Sequence, residues 1–517
     1  MEAEIGTFDL VAFLVFMVVV IGIGLWASRK KETSEDYFLA GRMLPWWLIG
    51  ISMIAGNIST EQFVGQAGKG YTLGLAIASY EWVAAITLVI VALYFLPKFL
   101  KAGVYTIPEF LEHRFSQGSR SLMSFYMLMA TALVAMPTVL LGGAITLDTI
   151  FGIPPWVGIW AIALVGGTYT MLGGLSAVVW TDLLFGLMLI IGGLIVTVIG
   201  FAEVGFTEFF VENQEKLNMF QPASNDILPW TALLAGIWIP NFFYWGLNQF
   251  IVQRTLGAKS LKEGQRGAIF ASALKLIIPV ITVFPGIMVY QLYADELAQA
   301  QGDQAYPFFI AKLVPVGLTG IILAALIGAI MSSLNCMLNS CSTIWTSDLY
   351  RRYIKPEAKE HHYVTIGRVA TIAFMIIACL WAQVIKGWSM QIFDYIQEFW
   401  GFVSPGILAV FLFALFSRKT PAIGAFVGLI MTVVVYGFLK FATPQIAFLN
   451  RMVITFAVVC AWMTFTRMAW PEKAPKEMPV REEMDMTTTV DVKVLGVAII
   501  VIVILLYIIF SPIGVAA

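Results

Sequence analysis

Long runs without a single charge constrain this chain more than any other feature. Leu10 to Ala27 and Val494 to Phe510 are two of them. A hydrocarbon core about 30 Å thick is crossed by a helix of roughly 17–25 apolar residues. In lipid every backbone N–H and C=O has to be bonded internally, so a run of this kind has to be helical. We expect an all-α polytopic membrane protein with about fourteen spans. They lie near residues 9–27, 45–67, 72–97, 119–147, 156–172, 177–203, 228–252, 266–294, 314–346, 365–385, 391–416, 421–439, 447–466 and 494–511.

The distribution of lysine and arginine tests that count, because basic residues gather in loops on the inner side of a membrane. With the N-terminus outside, the inner loops collect Arg29, Lys30, Lys31 and Arg42, then Lys98, Lys101, Arg114 and Arg120, then Arg254, Lys259, Lys262 and Arg266, with twelve more further on. The outer loops hold only Lys69, Lys216, Lys312, Lys386, Lys440 and Arg451. Of the 31 basic residues this leaves Lys275 alone within a span. Fourteen spans put both termini outside.

Composition excludes several functions. The chain is 59% hydrophobic and 12% charged, against about 25% charged in soluble domains. A net charge of −1 gives no electrostatic basis for binding nucleic acid. The four cysteines lie in apolar segments and read as buried thiols, without disulfide or metal spacing. His113 and the pair His361-His362 sit in polar connecting stretches, so no zinc site is expected. No cleavable signal peptide is expected, since Leu10 to Ala27 is long and its basic residues follow it. There is no phosphate loop and no nucleophile–base–acid set, so the chain reads as a non-enzyme whose work is driven by an ion gradient or a partner.

Two spans look broken. The second carries Ile54-Ala-Gly-Asn57-Ile-Ser-Thr-Glu61-Gln62 halfway across, and the seventh carries Ile239-Pro240-Asn241. Proline removes a helix hydrogen bond, and unwound backbone at membrane depth survives only where it lines a cavity or is buried in protein. The breaks are five spans apart. Two repeats of five spans would place each break in the first helix of its repeat, the arrangement expected around a transporter site.

The polar residues inside the spans fall into two groups. Ala324 to Thr346 has no charge but carries Ser332, Ser333, Asn335, Asn339, Ser340, Ser342 and Thr343. Such groups face protein, either gluing helices together or serving function. The adjacent hydroxyls of Ser332 and Ser333 are candidate oxygen ligands for a small cation. The second group is Gln62, Glu81, Asn241, Lys275 and Gln397. Its near-balanced charge and mixed donors and acceptors suit a neutral polyhydroxylated ligand; a structural Glu81–Lys275 ion pair would explain only two of the five. Tyr80, Tyr244, Trp245 and Phe393 lie close by in sequence and can stack or gate. Asp182 opens the sixth span, as a solvated cap or as an acid that draws a cation inward.

At this point the residues resemble a known family. SEDYFLAGRMLPWW, NISTEQFVG, GLAIASYEW, YTIPEFLEHRF, GGLSAVVWTD, YWGLNQFIVQRTL, AALIGAIMSSLNCMLNS and YIQEFWGFVSPGILAVF tile residues 34 to about 420. The chain is similar to the sodium:solute symporter family, and within it to the bacterial sodium/galactose (sodium/glucose-type) cotransporter branch. The resemblance implies a leucine-transporter-like inverted repeat of five plus five helices with flanking helices. The expected units are an extra helix and loop at 1–41, repeat one at 42–205, an outer loop at 206–227, repeat two at 228–419 and flanking helices at 420–517. It implies a sodium site formed by the carbonyls of Ala55, Ile58 and Ala329 and the hydroxyls of Ser332 and Ser333. It implies a sugar site of Gln62, Glu81, Asn241, Lys275 and Gln397, an inner gate at Tyr244 and Trp245, an outer gate at Tyr80 and Phe393, and Asp182 on the sodium exit route. Ala84, Ala135, Gln66 and Phe185 stand where the branch has a serine, an asparagine, a methionine and a glutamine.

The expected function is a sodium-coupled symporter in a bacterial inner membrane, importing a neutral monosaccharide or polyol by alternating access. Its partners would be sodium, one ion per substrate, the sugar or polyol, and membrane lipid. A symporter for another organic solute such as a sialic acid, a non-transporting nutrient sensor and a channel are the alternatives. No long soluble signalling domain follows the last span, which argues against the sensor.

Overall fold

The computed structural model describes residues 6–28, 33–297, 299–386, 392–474, 476–481 and 485–516. The inner-loop residues Arg29, Lys30 and Lys31 lie outside them. The described chain is helical from end to end, with two isolated bridges and no named strand. Among the described residues ten helices are long and apolar enough to cross a membrane, eleven if the bent pair Ile392–Gly401 and Ser404–Phe416 is one span. That is three fewer than the fourteen expected, and the difference has two causes. The fifth and sixth expected spans run on as one 50-residue helix, Pro155–Val204. The second and seventh are cut into helices too short to count singly.

The continuous helix is bent, not straight. Gly174 sits inside it with φ 56° and ψ −147°, a conformation closed to side-chain-bearing residues. A Cβ there would also collide with the carbonyl oxygen of Tyr37. Gly174→Ala should therefore cost at least ~1–3 kcal/mol, the range for one strained backbone residue. A lowered Tm of the detergent-solubilised protein checks it; an unchanged Tm would mean that the bend is not under constraint.

The core is the helix Thr319–Ile344, packed against Pro155–Val204 and Trp46–Asn57. In the span it opens, 94% of the most apolar window is buried; the figure is 11% for Thr7–Ala27 and 22% for Val490–Ile509. Uncharged sequence alone does not separate these cases. The buried helix carries its serines and asparagines against protein, while the two terminal ones present valine, leucine and isoleucine outward. Short polar helices between the spans are capped by their own side chains. The Thr33 hydroxyl accepts from the Asp36 N–H, and that of Thr106 from the Glu109 N–H.

The second span breaks where the sequence indicates. Trp46–Asn57 ends at Ile58, which is extended with ψ 114°, and a wide helical turn over Glu61–Gln66 leads into Ala67–Thr72. The seventh is interrupted twice. A wide helical turn over Ala232–Gly236 runs through Ile237 into Trp238–Gly246, so the ladder is disturbed just before Pro240, which has no N–H to donate. The chain then opens fully at Leu247 and Asn248, before Gln249–Leu256 begins.

Candidate functional site: a polar cavity between two broken helices

The two broken spans touch beside the first break. Asn57, the last residue before the second-span break, donates its side-chain amide to the hydroxyl of Tyr244 on the seventh span, at 3.0 Å. Its carbonyl oxygen accepts from the Lys275 ammonium, which also bonds Glu81 and lies 4.7 Å over the Trp245 ring. The second carboxylate oxygen of Glu81 accepts from Gln66 Nε2 at 2.7 Å. Lys275 and Glu81 are both buried, 1% and 2% exposed. The ion pair considered as a purely structural alternative is therefore made, but it is one edge of a larger polar network.

All five sugar-site candidates line one cavity of about 40 Å³. Gln62, Glu81, Asn241, Lys275 and Gln397 share it with Asn57, Glu61, Gln66, Pro240, Tyr80, Phe243, Tyr244, Trp245 and Trp400. The free volume holds at most two or three water molecules, so a ring-sized solute enters only when a wall moves. Some side chains are partly engaged. Gln62 accepts from the Ser59 N–H at 2.9 Å and caps the break, and the Asn241 amide donates to the Ile237 carbonyl one turn back. Phe393 does not line the cavity, but it packs edge-on against Tyr80 with ring centroids 5.0 Å apart. On the other side Tyr244 packs against Trp245 and Phe250, both at 5.3 Å.

The sodium candidates are buried at the contact between the second-span break and the ninth span. Ala55, Ile58, Ala329, Ser332 and Ser333 are each 0% exposed. The Ser333 hydroxyl reaches the Ile58 carbonyl at 3.5 Å, so two of the five meet directly. Ser332 points elsewhere, donating to Asp182 at 2.5 Å.

Asp182 corrects the sequence reading. It does not open a span at the membrane boundary; it is fully buried within Pro155–Val204. It accepts from Ser52 at 2.5 Å as well as from Ser332, and Arg254 lies 3.4 Å away. Arg254, assigned to an inner loop, is 1% exposed, and its guanidinium holds the Ser52 carbonyl and hydroxyl. The charge count missed this because Gln249–Leu256, after the break, folds back into protein instead of into water. Asn57 and Glu61 were missed for a different reason. They stand beside the named Ile58 and Gln62, and in a regular helix neighbours face different ways. The extended Ile58 and the wide turn after it bring both Glu61 and Gln62 to the cavity.

A further ionic contact ties the second span to the bent pair. Lys69 pairs with Asp394 at 2.7 Å, and Asp303 accepts from the Ile392 N–H at 3.0 Å, joining the loop before the ninth span to the start of the bent pair. Burial raises the Asp303 carboxyl to about 6 from an ordinary 3.8, against the pull of the Ile392 N–H and Lys69. An acid that holds its proton more tightly when packed favours the packed arrangement at low pH. That gain is complete below about 3.8 and is lost as pH rises through 6. Amide hydrogen exchange in residues 302–313, corrected for intrinsic rates, should therefore be slower at pH 5 than at pH 7. Asp303→Asn should flatten the difference; an undiminished pH effect in that variant would assign it to another group.

Two broken helices with a polar cavity between them, in an all-helical chain of apolar spans, are the architecture of a secondary transporter with the leucine-transporter-like inverted repeat. The chain belongs to the sodium:solute symporter family, whose profile matches residues 37–432. It is 41% identical to a sodium/glucose cotransporter of Vibrio parahaemolyticus, over 94% of this chain and 95% of that protein. It is 33% identical to the sodium/myo-inositol cotransporter 2 of Rattus norvegicus, over 82% of this chain and 68% of that protein. The fold matches the substrate-bound outward-open structure of a Na+-coupled sialic acid symporter with a TM-score of 0.82. That match is at 23% identity and covers 92% of this chain and 100% of the other. The protein is thus a multi-pass membrane symporter that couples sodium to a small solute, and it is not an enzyme.

Proposed function

We propose that the solute is a neutral monosaccharide or polyol, imported by alternating access. The observation that carries this reading is the cavity wall. Glu81, Lys275, Asn57, Gln62, Gln66, Asn241 and Gln397 mix carboxylate, ammonium and amide groups around one space, with Tyr244 and Trp245 able to lie against a ring. A ring with several hydroxyls can donate to the acceptors and accept from the amides without importing charge. The sodium/glucose relative at 41% identity and the sodium/myo-inositol relative at 33% agree with that chemistry.

In this reading sodium is held by the carbonyls of Ala55, Ile58 and Ala329 and the hydroxyls of Ser332 and Ser333, bracing the broken second span against the ninth. Asp182, beside Ser332, lies on the ion's route to the inner face. Tyr80 and Phe393 form the outer gate and Tyr244 and Trp245 the inner one. The repeats run over 42–205 and 228–419, with 1–41, 206–227 and 420–517 as the flanking parts, and both termini lie outside. Coupling requires that sodium change the affinity for solute by favouring one conformation, since an ion bound equally to both does no work.

A competition panel in proteoliposomes with an inward sodium gradient tests the substrate class. D-glucose, D-galactose, D-xylose or myo-inositol should be taken up only with sodium, and D-glucuronate and N-acetylneuraminate should not compete. Competition by N-acetylneuraminate where all four neutral compounds fail would replace the neutral class with a sialic acid.

A further inference from the structure

Resting on the neutral-sugar reading, we infer that Glu61 is a specificity-determining residue: its carboxylate accepts a hydrogen bond from a substrate hydroxyl and bars acidic sugars. The five contacts expected from sequence balance to zero charge, but the structure puts a second carboxylate in the same cavity. Glu61 follows the second-span break, and its backbone N–H is fixed on the Ser59 hydroxyl at 3.2 Å. One of its carboxylate oxygens accepts from Gln397 Nε2 at 3.0 Å. The other has no protein donor among the described residues. Glu81 has both oxygens taken, by Lys275 and Gln66. Among the described residues Lys275 is the one ammonium lining the cavity, and Asn57 and Glu81 take two of its three N–H donors.

The rest of the wall leans the same way. Gln397 Oε1, Gln66 Oε1 and the Tyr80 hydroxyl are buried without a partner among the described residues. Gln66 is 1% exposed, Gln397 6% and Tyr80 8%. Buried acceptors are costly to leave unmet. Gln397 Oε1, Gln66 Oε1 and the free Glu61 oxygen make three open acceptors, which select a ligand that brings O–H hydrogens, while the Tyr80 hydroxyl can donate or accept. A ligand carboxylate brings only acceptors and a charge of the same sign, in a space too dry to screen it. Glu61, at the first turn after the break, is the member of the wall whose free oxygen is a carboxylate.

The test uses the full chain in proteoliposomes, with D-glucose, D-galactose, D-xylose and myo-inositol as neutral probes and D-glucuronate as the acidic one. Glu61→Gln keeps the shape and an Oε1 that can accept from Gln397 Nε2, but removes the carboxylate charge. For whichever neutral probe the wild type transports, KM should rise about tenfold or more in that variant while the maximal rate stays within about twofold. D-glucuronate, inert against the wild type, should begin to compete. Glu61→Asp, which restores a carboxylate, should recover the exclusion of D-glucuronate. Unchanged KM in a folded Glu61→Gln, or a fall in maximal rate alone, would overturn the assignment. A wild type that takes up none of the four neutral probes would overturn the neutral-sugar reading and this inference with it. A wild type that transports one, beside an indifferent Glu61→Gln, would overturn the inference alone.

Discussion

Lys275→Ala should abolish transport and leave a markedly less stable protein, while adding Glu81→Gln should restore stability without restoring transport. The expectation follows from what Lys275 touches. Its ammonium bonds Glu81 and Asn57 and lies over Trp245, all within a cavity wall that is almost fully buried. Removing one partner of a buried ion pair strands the other in a poor solvent, typically at a cost of ~3–5 kcal/mol. Gln66 still donates to Glu81, so part of the carboxylate keeps a partner, and the lower end of that range applies. Glu81→Gln removes the stranded charge and so recovers the Tm. It supplies no cation, and Asn57 at the break keeps only its contact to Tyr244. Thermal unfolding and sodium-driven uptake, measured on the single and double variants, separate the two roles. Uptake of D-glucose or myo-inositol with unchanged KM in Lys275→Ala would make Lys275 a structural residue only.

Ser332→Ala combined with Ser333→Ala should remove sodium dependence altogether. Both hydroxyls are fully buried on the ninth-span helix, one facing the Ile58 carbonyl at the break and one facing Asp182. A hydrogen bond or dipole directed at a charged group contributes ~1.5–3 kcal/mol, so each lost hydroxyl weakens sodium by roughly ten- to hundredfold. Binding to the folded state alone stabilises it by RT ln(1 + [L]/Kd). Wild-type Tm should therefore rise when NaCl replaces KCl at constant ionic strength, and the double variant should show no rise. The singles divide the effect. Ser333→Ala disturbs only a long contact to Ile58, so its loss of sodium response reports on ligation. Ser332→Ala also takes a donor from Asp182, which Ser52 and Arg254 still hold. A full sodium-dependent Tm shift and normal sodium-driven uptake in the double variant would remove these serines from the ion site.

Much of this molecule was legible before any coordinates. The uncharged runs fixed its helices and its membrane class, because lipid offers the backbone no alternative partner. The small and polar residues from Ile54 to Gln62 located the second-span break, and Ser332-Ser333 and Lys275 stood out because polar groups at such depth need a reason. Other features depended on three-dimensional placement. Pro240 marked the disturbed ladder after Ala232–Gly236, but the full opening at Leu247 and Asn248, about two turns further on, carried no such sign. Arg254 and Asp182 each looked like a boundary charge when read alone. They are buried together because helices far apart in sequence bring them to one point, and hydropathy along the chain carries no record of that meeting. Glu61 was hidden beside Gln62 for the same reason. Which of two neighbouring side chains faces a cavity depends on the backbone turn between them, and only the tertiary structure decides it.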